Sequence, residues 1–340
     1  MVSLLPWRWI IPLFIVSFLS LYLYFTFRDP IELPNHKIHN HNRLLSSVVS
    51  TISENSINDI DKIKLGFNLF IDTNLSSNGK ISCDSCHQLL SNGAEAIPIS
   101  IGVNGKGTRN SPTIFNIDLN TRFFWDGRAA SLEEQIEGPI HNPLEMDNSW
   151  PSIIEYLNSD TKYQLLFEKT YDGDISDITI KDALVHFMKM LRTPNAPFDL
   201  YLKGDNKAIS KVAVNGWNKF QNLGCVYCHQ GQNIGGNLFQ KLGNLTELEN
   251  SFGENADLGR FNITGDINDR HVFRVPSLRN VAITPPYFHH GKVQTLEEAI
   301  TIMAKVQLGQ DLSPMTIVEI SAFLNTLTAP KPTILEELMQ

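Results

Sequence analysis

The chain has 340 residues, 42% of them hydrophobic and 19% charged, an ordinary globular composition with room for two domains and an extra segment. Its 28 basic and 36 acidic residues give a formal net charge of −8. That balance argues against a nucleic-acid partner and is compatible with a basic one.

Residues 10–27, IIPLFIVSFLSLYLYFTF, are uncharged over 18 positions. As a helix they would run about 27 Å, close to the thickness of a bilayer core. Trp7, Trp9, Tyr22 and Tyr24 occupy interfacial positions. A cleaved signal peptide has a shorter apolar region followed by small residues, and no such site precedes Arg28. The expectation is an N-terminal transmembrane helix within 1–28, with a signal peptide as the alternative. Residues 29–55 form a polar linker rich in Asn, Ser and His. His36, His39 and His41 read there as solvated residues rather than a metal site.

The stretch SCDSCHQ places Cys83 and Cys86 two residues apart with His87 directly after, and GCVYCHQG repeats the order with Cys225, Cys228 and His229. These four cysteines are all the chain has. The order C-x-x-C-H suits covalent haem attachment: both thiols add to the haem vinyl groups and the adjacent imidazole meets the iron. A zinc site would want its two halves close in sequence, whereas 138 residues separate Cys86 from Cys225. A thioredoxin-like pair has no use for the trailing histidine.

The surrounding sequence also repeats. Pro112 of NSPTIFN and Pro276 of RVPSLRN are each followed 15 residues on by glycine, Gly127 and Gly291, and five further on by Leu132 and Leu296. Ser131 with Glu134 and Thr295 with Glu298 predict capping boxes opening two helices. GFNLF (66–70) and GWNKF (216–220) each close an amphipathic stretch before the cysteines. Further helices are predicted over 179–191 and 314–327, with no alternating strands. The fold class is therefore mainly α: two cytochrome-c-like helical domains, 56–195 and 196–330, each with one covalent c-type haem, and a tail over 331–340.

The repeat distinguishes the two haems. Met303 lies 12 residues after Gly291, and the matching position after Gly127 is Pro139, which cannot bind iron. Residues 88–124 contain neither His nor Met. Haem 1 is expected to be open on its far face and haem 2 closed by Met303, a ligand that raises the potential. A packing methionine is the alternative, with His271, Tyr287, His289 and His290 as other candidate ligands. Gln135 and Glu145 stand where the second repeat has Ala299 and Gly309. A carboxylate and an amide above an open iron suit peroxide cleavage, although Glu145 taken alone reads rather as a solvated loop acid.

The segments LGFNLFIDTNLSSNGKISCDSCHQ, TRNSPTIFN, FFWDGRAASLEEQIEGPIHNPLEMD, FRVPSLRNVAITPPYFHHG and TLEEAITIMAKVQLG together resemble the bacterial dihaem cytochrome c peroxidases over residues 56–330. The resemblance implies reduction of hydrogen peroxide to two waters, with electrons from a small cytochrome c or a cupredoxin. It implies His87 as the proximal ligand of the peroxidatic haem, Gln135 and Glu145 as its distal residues, and Trp125 as the electron conductor between haems. His229 and Met303 become the axial pair of the second haem, and Asn110, Thr284 and Pro286 a calcium site. A homodimer in the bacterial periplasm is also implied, held to the inner membrane by the N-terminal helix. Many members carry a distal histidine that blocks the first haem until the second is reduced; ISIGVNGKGTRN has none. In that respect the chain is similar to the dihaem enzymes that mature methylamine dehydrogenase, but those close the second haem with tyrosine. The alternatives are a dihaem electron-transfer protein, with two six-coordinate haems, and a dihaem oxidase modifying a protein substrate.

Overall fold

The computed structural model describes residues 48–245 and 257–339, which belong to one compact unit. The expected membrane helix, the linker as far as residue 47, and His36, His39 and His41 lie outside the described residues. Among the described residues no helix is long and apolar enough to cross a membrane.

Two helix pairs organise two apolar clusters. In the first, α1 (Ile60–Ile71) buries Ile63, Leu65, Leu69 and Phe70, and it is followed by the single turn α2 (Cys83–Cys86). Then come the hairpin β1 (Ile101–Gly102) and β2 (Gly105–Lys106), and helices α3 (Leu132–His141), α4 (Trp150–Ser159), α5 (Thr161–Tyr171) and α6 (Asp177–Lys189). Phe67 and Phe70 of α1 meet Phe187 of α6 with ring centroids 5.6 and 5.4 Å apart. The helices approach closely because Gly66 has no side chain: a Cβ there would lie 2.1 Å from the Ala183 carbonyl oxygen.

The second cluster repeats this plan. In chain order come α7 (Pro197–Leu202), α8 (Lys211–Asn222), strand β3 (Phe239–Lys241), the turn α9 (Phe261–Thr264), strand β4 (Val272–Arg274), α10 (Leu296–Leu308) and α11 (Pro314–Asn325), of which α7, α8, α10 and α11 supply buried residues to this cluster. Phe323 of α11 sits 5.0 to 5.1 Å from the rings of Phe198, Trp217 and Phe220. Gly216 is the counterpart of Gly66, and a Cβ there would meet the Glu319 carbonyl oxygen at 1.8 Å. So GFNLF and GWNKF mark the crossings of α1 with α6 and of α8 with α11. The last helix, α12 (Ile334–Leu338), packs Ile334 and Leu335 into the first cluster, whereas Val49 joins the second.

The repeat extends to backbone detail. Asn116 and Asn280 both take left-handed conformations, φ 62° and 60°, and both side-chain amides donate to the Thr193 hydroxyl, at 2.7 and 3.0 Å. Phe124 and Phe288 share φ 64° and 65°. The Asn110 amide donates to the His289 carbonyl at 2.7 Å, and its counterpart, the Arg274 amide, donates to the Trp125 carbonyl at 2.8 Å. These reciprocal bonds tie one repeat to the other.

Several sequence expectations shift. Helix α6 covers 177–189 rather than 179–191 because Ser176 caps it, accepting from the Thr179 amide, and α11 stops at Asn325 rather than 327. Ser131 does accept from the Glu134 amide at 3.1 Å, but the Glu134 carboxylate caps the Ala130 amide at 2.7 Å instead of closing a reciprocal box. Thr295 accepts from Glu298 at 3.2 Å. The described residues also include four strands of two or three residues, β1 paired with β2 and β3 with β4, both antiparallel. Such strands are too short to show a period-two pattern.

Candidate functional site

The two C-x-x-C-H motifs occupy corresponding places, each just beyond the helix that carries the crossing glycine. Cys83 and Cys86 open and close α2, and the His87 amide closes the turn on the Cys83 carbonyl at 2.9 Å. Cys225, Cys228 and His229 follow α8, and the His229 amide closes its turn on the Cys225 carbonyl at 2.9 Å. In both turns the tight local geometry presents the two sulfurs and the ring from one short stretch.

His229 is buried and His87 half-buried, and burial of the ring pushes each down to about pKa 4. The backbones of Gly93 and Pro112 partly oppose that shift at His87, and those of Ile234 and Pro276 do so at His229. Pro112 and Pro276 are the repeat-related prolines of the sequence. His229 Nδ1 lies 3.4 Å from the Ile234 carbonyl, whereas His87 Nδ1 is buried with no hydrogen-bond partner. A neutral imidazole keeps a ring lone pair for a metal. None of the four cysteines forms a disulfide. Burial raises Cys83 to about 12 and Cys86 and Cys225 to about 11, as for thiols in apolar surroundings.

At the second motif a cavity of about 370 Å³ is lined by Cys225, Cys228, His229, Tyr287, His289 and Met303. Both sulfurs, the imidazole and the thioether thus share one predominantly apolar space, the donor set and polarity that a haem with His and Met on its two faces requires. Met303, in α10, packs beside Leu242, Phe273 and Val306. Among the other candidate ligands, His271 turns Nδ1 to the Asp257 carbonyl at 3.0 Å, and neither it nor His290 lines this cavity.

At the first motif the structure brings Glu145 close: its charge acts on both Cys83 and Cys86. Burial raises the Glu145 pKa, opposed by a 2.7 Å hydrogen bond from the Asn142 amide and by the charge of Arg128. Asn142 ends α3 as its C-cap, so the helix terminus positions the carboxylate. The β1–β2 hairpin grips the same segment, with the Val103 amide donating to the Glu145 carbonyl at 2.8 Å. Gln135 lies half-buried in α3 and makes no hydrogen bond to Glu145. Pro139, the counterpart of Met303, sits inside α3. His141, the one histidine near Glu145 in sequence, is turned elsewhere: Nδ1 meets the Asn148 carbonyl at 3.0 Å and Nε2 meets Glu137 at 3.1 Å.

Trp125 belongs to the first repeat yet lines the cavity of the second. Its indole N–H donates to the Asn110 carbonyl at 2.8 Å, and its ring meets His289 edge-on at 6.2 Å. His289 is the repeat counterpart of Trp125 and stacks on Phe273 at 4.3 Å. Of the three calcium candidates, Asn110 is tied to the segment carrying Thr284 and Pro286 through its bond to His289. The Asn110 side-chain amide is used on the Ile97 and Pro98 carbonyls, and the Thr284 hydroxyl on those of Asn280 and Val281.

Two residues escaped the sequence reading. Glu95 is buried near the first motif, receives a hydrogen bond from Ser100, and acts electrostatically on Cys86; burial pushes it up to about 7. Ser100 in turn lies 2.6 Å from the Ser111 hydroxyl. A single glutamate in the uncharged run SNGAEAIPIS was the available signal. Arg274 is the other, and aligning the repeats places it opposite Asn110.

A family model described as di-haem cytochrome c peroxidase matches residues 60–207. The chain is 40% identical over 274 residues to the cytochrome c551 peroxidase of Nitrosomonas europaea, covering 80% of this chain and 81% of that protein. It is 41% identical over 276 residues to the cytochrome c551 peroxidase of Pseudomonas aeruginosa, covering 80% of each. Among solved structures, a MauG-like protein associated with microbial copper homeostasis superposes with a TM-score of 0.73 at 26% identity, over 89% of this chain and 96% of that one. The chain belongs to the di-haem cytochrome c peroxidase family and is an enzyme of that kind, a haem-dependent oxidoreductase.

Proposed function

We propose that the chain reduces hydrogen peroxide to water at its first haem, with electrons that enter at the second. The observation that carries this reading is the asymmetry of two otherwise repeated sites. The second motif shares its cavity with a methionine, while the first has a half-buried carboxyl, Glu145, acting on its cysteines and a proline where that methionine would stand.

Haem bound at the first motif supplies an iron that accepts peroxide and passes electrons into the O–O bond. His87 would hold it from one side, anchored by thioethers to Cys83 and Cys86. Glu145 would take the proton from the near peroxide oxygen and return it to the far one, so that the far oxygen leaves as water. Burial raises its pKa, the direction that favours a carboxyl carrying a proton. Gln135 would orient the peroxide through its amide. With two electrons and two further protons the balance is two waters. His229 and Met303 would hold the second haem, and Trp125 would conduct between them.

The same reading includes a small cytochrome c or cupredoxin as donor, a periplasmic location, an inner-membrane anchor in residues 10–27 and a homodimer. It also includes a calcium ion between the repeats. Because the Thr284 hydroxyl is already used, Thr284 and Pro286 would offer that ion their carbonyl oxygens, beside the side-chain oxygen of Asn110.

The test is peroxide-dependent oxidation of a reduced small cytochrome c by the purified holoenzyme. Steady turnover is expected; absence of donor oxidation with both haems attached would exclude the reading. Trp125→Phe should slow donor turnover by tenfold or more while cyanide binding to the oxidised protein is unchanged. Equal donor rates in the two proteins would remove Trp125 from the electron route.

A further inference from the structure

Among the described residues lining the second cavity, Arg274 is the only Lys, Arg, Asp or Glu. It is 4% exposed. Its Nε donates to the Phe124 carbonyl at 3.2 Å, and its Nη1 is buried without a hydrogen-bond partner. No carboxylate among the described residues pairs with it. This sets it apart from the buried Arg279, bound to Asp199 at 2.8 Å, and from the half-buried Arg109, bound to Asp126 and Asp257 at 2.5 Å each. Burial lowers the Arg274 pKa only to about 10, so it remains a cation at neutral pH.

A buried charge without a counter-ion is costly, and such groups are retained when something pairs with them. The cavity wall otherwise offers apolar side chains, neutral polar groups, a thioether and neutral imidazole. A haem fits that wall with its apolar ring and brings two carboxylates of its own. From these observations we infer that Arg274 is the counter-ion of a propionate of the second haem and holds the potential of that haem up. This inference rests on the second haem occupying the cavity, as proposed above. Trp125 touches the same arginine, since its carbonyl accepts the Arg274 amide at 2.8 Å. The pairing would therefore place the propionate edge beside the residue proposed to conduct electrons.

The cation opposes loss of an electron from the iron, so removing it favours the oxidised form. The experiment uses the holoenzyme. A pyridine haemochrome count of two haems per chain is taken first, so a failure of the two-haem reading is seen separately. A spectroelectrochemical titration then follows haem 2. Arg274→Gln should shift its reduction equilibrium about tenfold towards the oxidised form, ~59 mV for one electron. Arg274→Lys, which keeps the charge but loses the Nε bond to Phe124, should stay close to wild type. Equal potentials in all three proteins, or an equal fall in both variants, would overturn the assignment. Should the glutamine variant not fold, resonance Raman of the wild type still decides. A propionate bending band that moves on transfer to D₂O supports the guanidinium pairing, and a band that does not move refutes it.

Discussion

Glu145→Gln should slow peroxide cleavage by roughly 10²–10⁴-fold, the usual size of one acid–base contribution. That corresponds to about 3–5 kcal/mol of lost transition-state stabilisation. The substitution is close to isosteric, and the Asn142 amide can still donate to the remaining side-chain oxygen at the position it now occupies, 2.7 Å away. The β1–β2 hairpin also holds Glu145 by its backbone carbonyl rather than its side chain. The pocket should therefore keep its shape and lose only the proposed proton carrier. Cyanide binding to the oxidised protein should be unchanged, while the rate of peroxide reaction in stopped flow falls. A variant that cleaves peroxide within threefold of wild type would place the proton transfer elsewhere. Glu95, buried on the same site and raised to about 7, would then be the group to replace next.

Met303→Ala should abolish the methionine-to-iron charge-transfer band and shift the haem 2 reduction equilibrium by at least tenfold, ~59 mV or more downward. Met303 also packs against Leu242, Phe273 and Val306, so truncation leaves a cavity and costs stability, about 2 kcal/mol for a partly buried methionine. Met303→Leu separates the two effects, because it nearly conserves volume and removes only the sulfur. The leucine variant should retain the melting temperature within a few degrees and still lose the band. Survival of the band in either variant would make Met303 a packing residue. Tyr287 and His289, which line the same cavity, would then be the candidate ligands.

Much of this arrangement was legible in the sequence because the chemistry and the repeat are both local. Two C-x-x-C-H runs mark the proposed attachment points without any tertiary information, and the spacing from Gly127 and Gly291 places Pro139 opposite Met303. The crossing glycines were legible as a pattern, but their reason was not. Only the packed helices show Gly66 against Ala183 and Gly216 against Glu319. The short strands were invisible because two or three residues carry no period. Glu95 and Arg274 were missed for a different cause. Each is a charged residue whose meaning comes from burial, and burial is set by segments distant in sequence. Arg274 looks like any surface arginine until Trp125, 149 positions earlier, is found bonded to its backbone. His141 illustrates the reverse: its place four residues before Glu145 suggests a ligand that could close the first haem, yet its ring is held by Asn148 and Glu137.

The central claim is that the two haem sites differ, one open and one closed. The most direct measurement is the EPR and optical spectrum of the oxidised protein as isolated, followed by peroxide with no reducing pre-treatment. Residues 88–124 offer no histidine or methionine to the first iron, and His141 is engaged elsewhere. The spectrum should therefore show high-spin iron at one haem and low-spin His/Met iron at the other, and the high-spin signal should disappear at once on adding peroxide. A wholly low-spin protein that ignores peroxide until it is reduced would contradict the account.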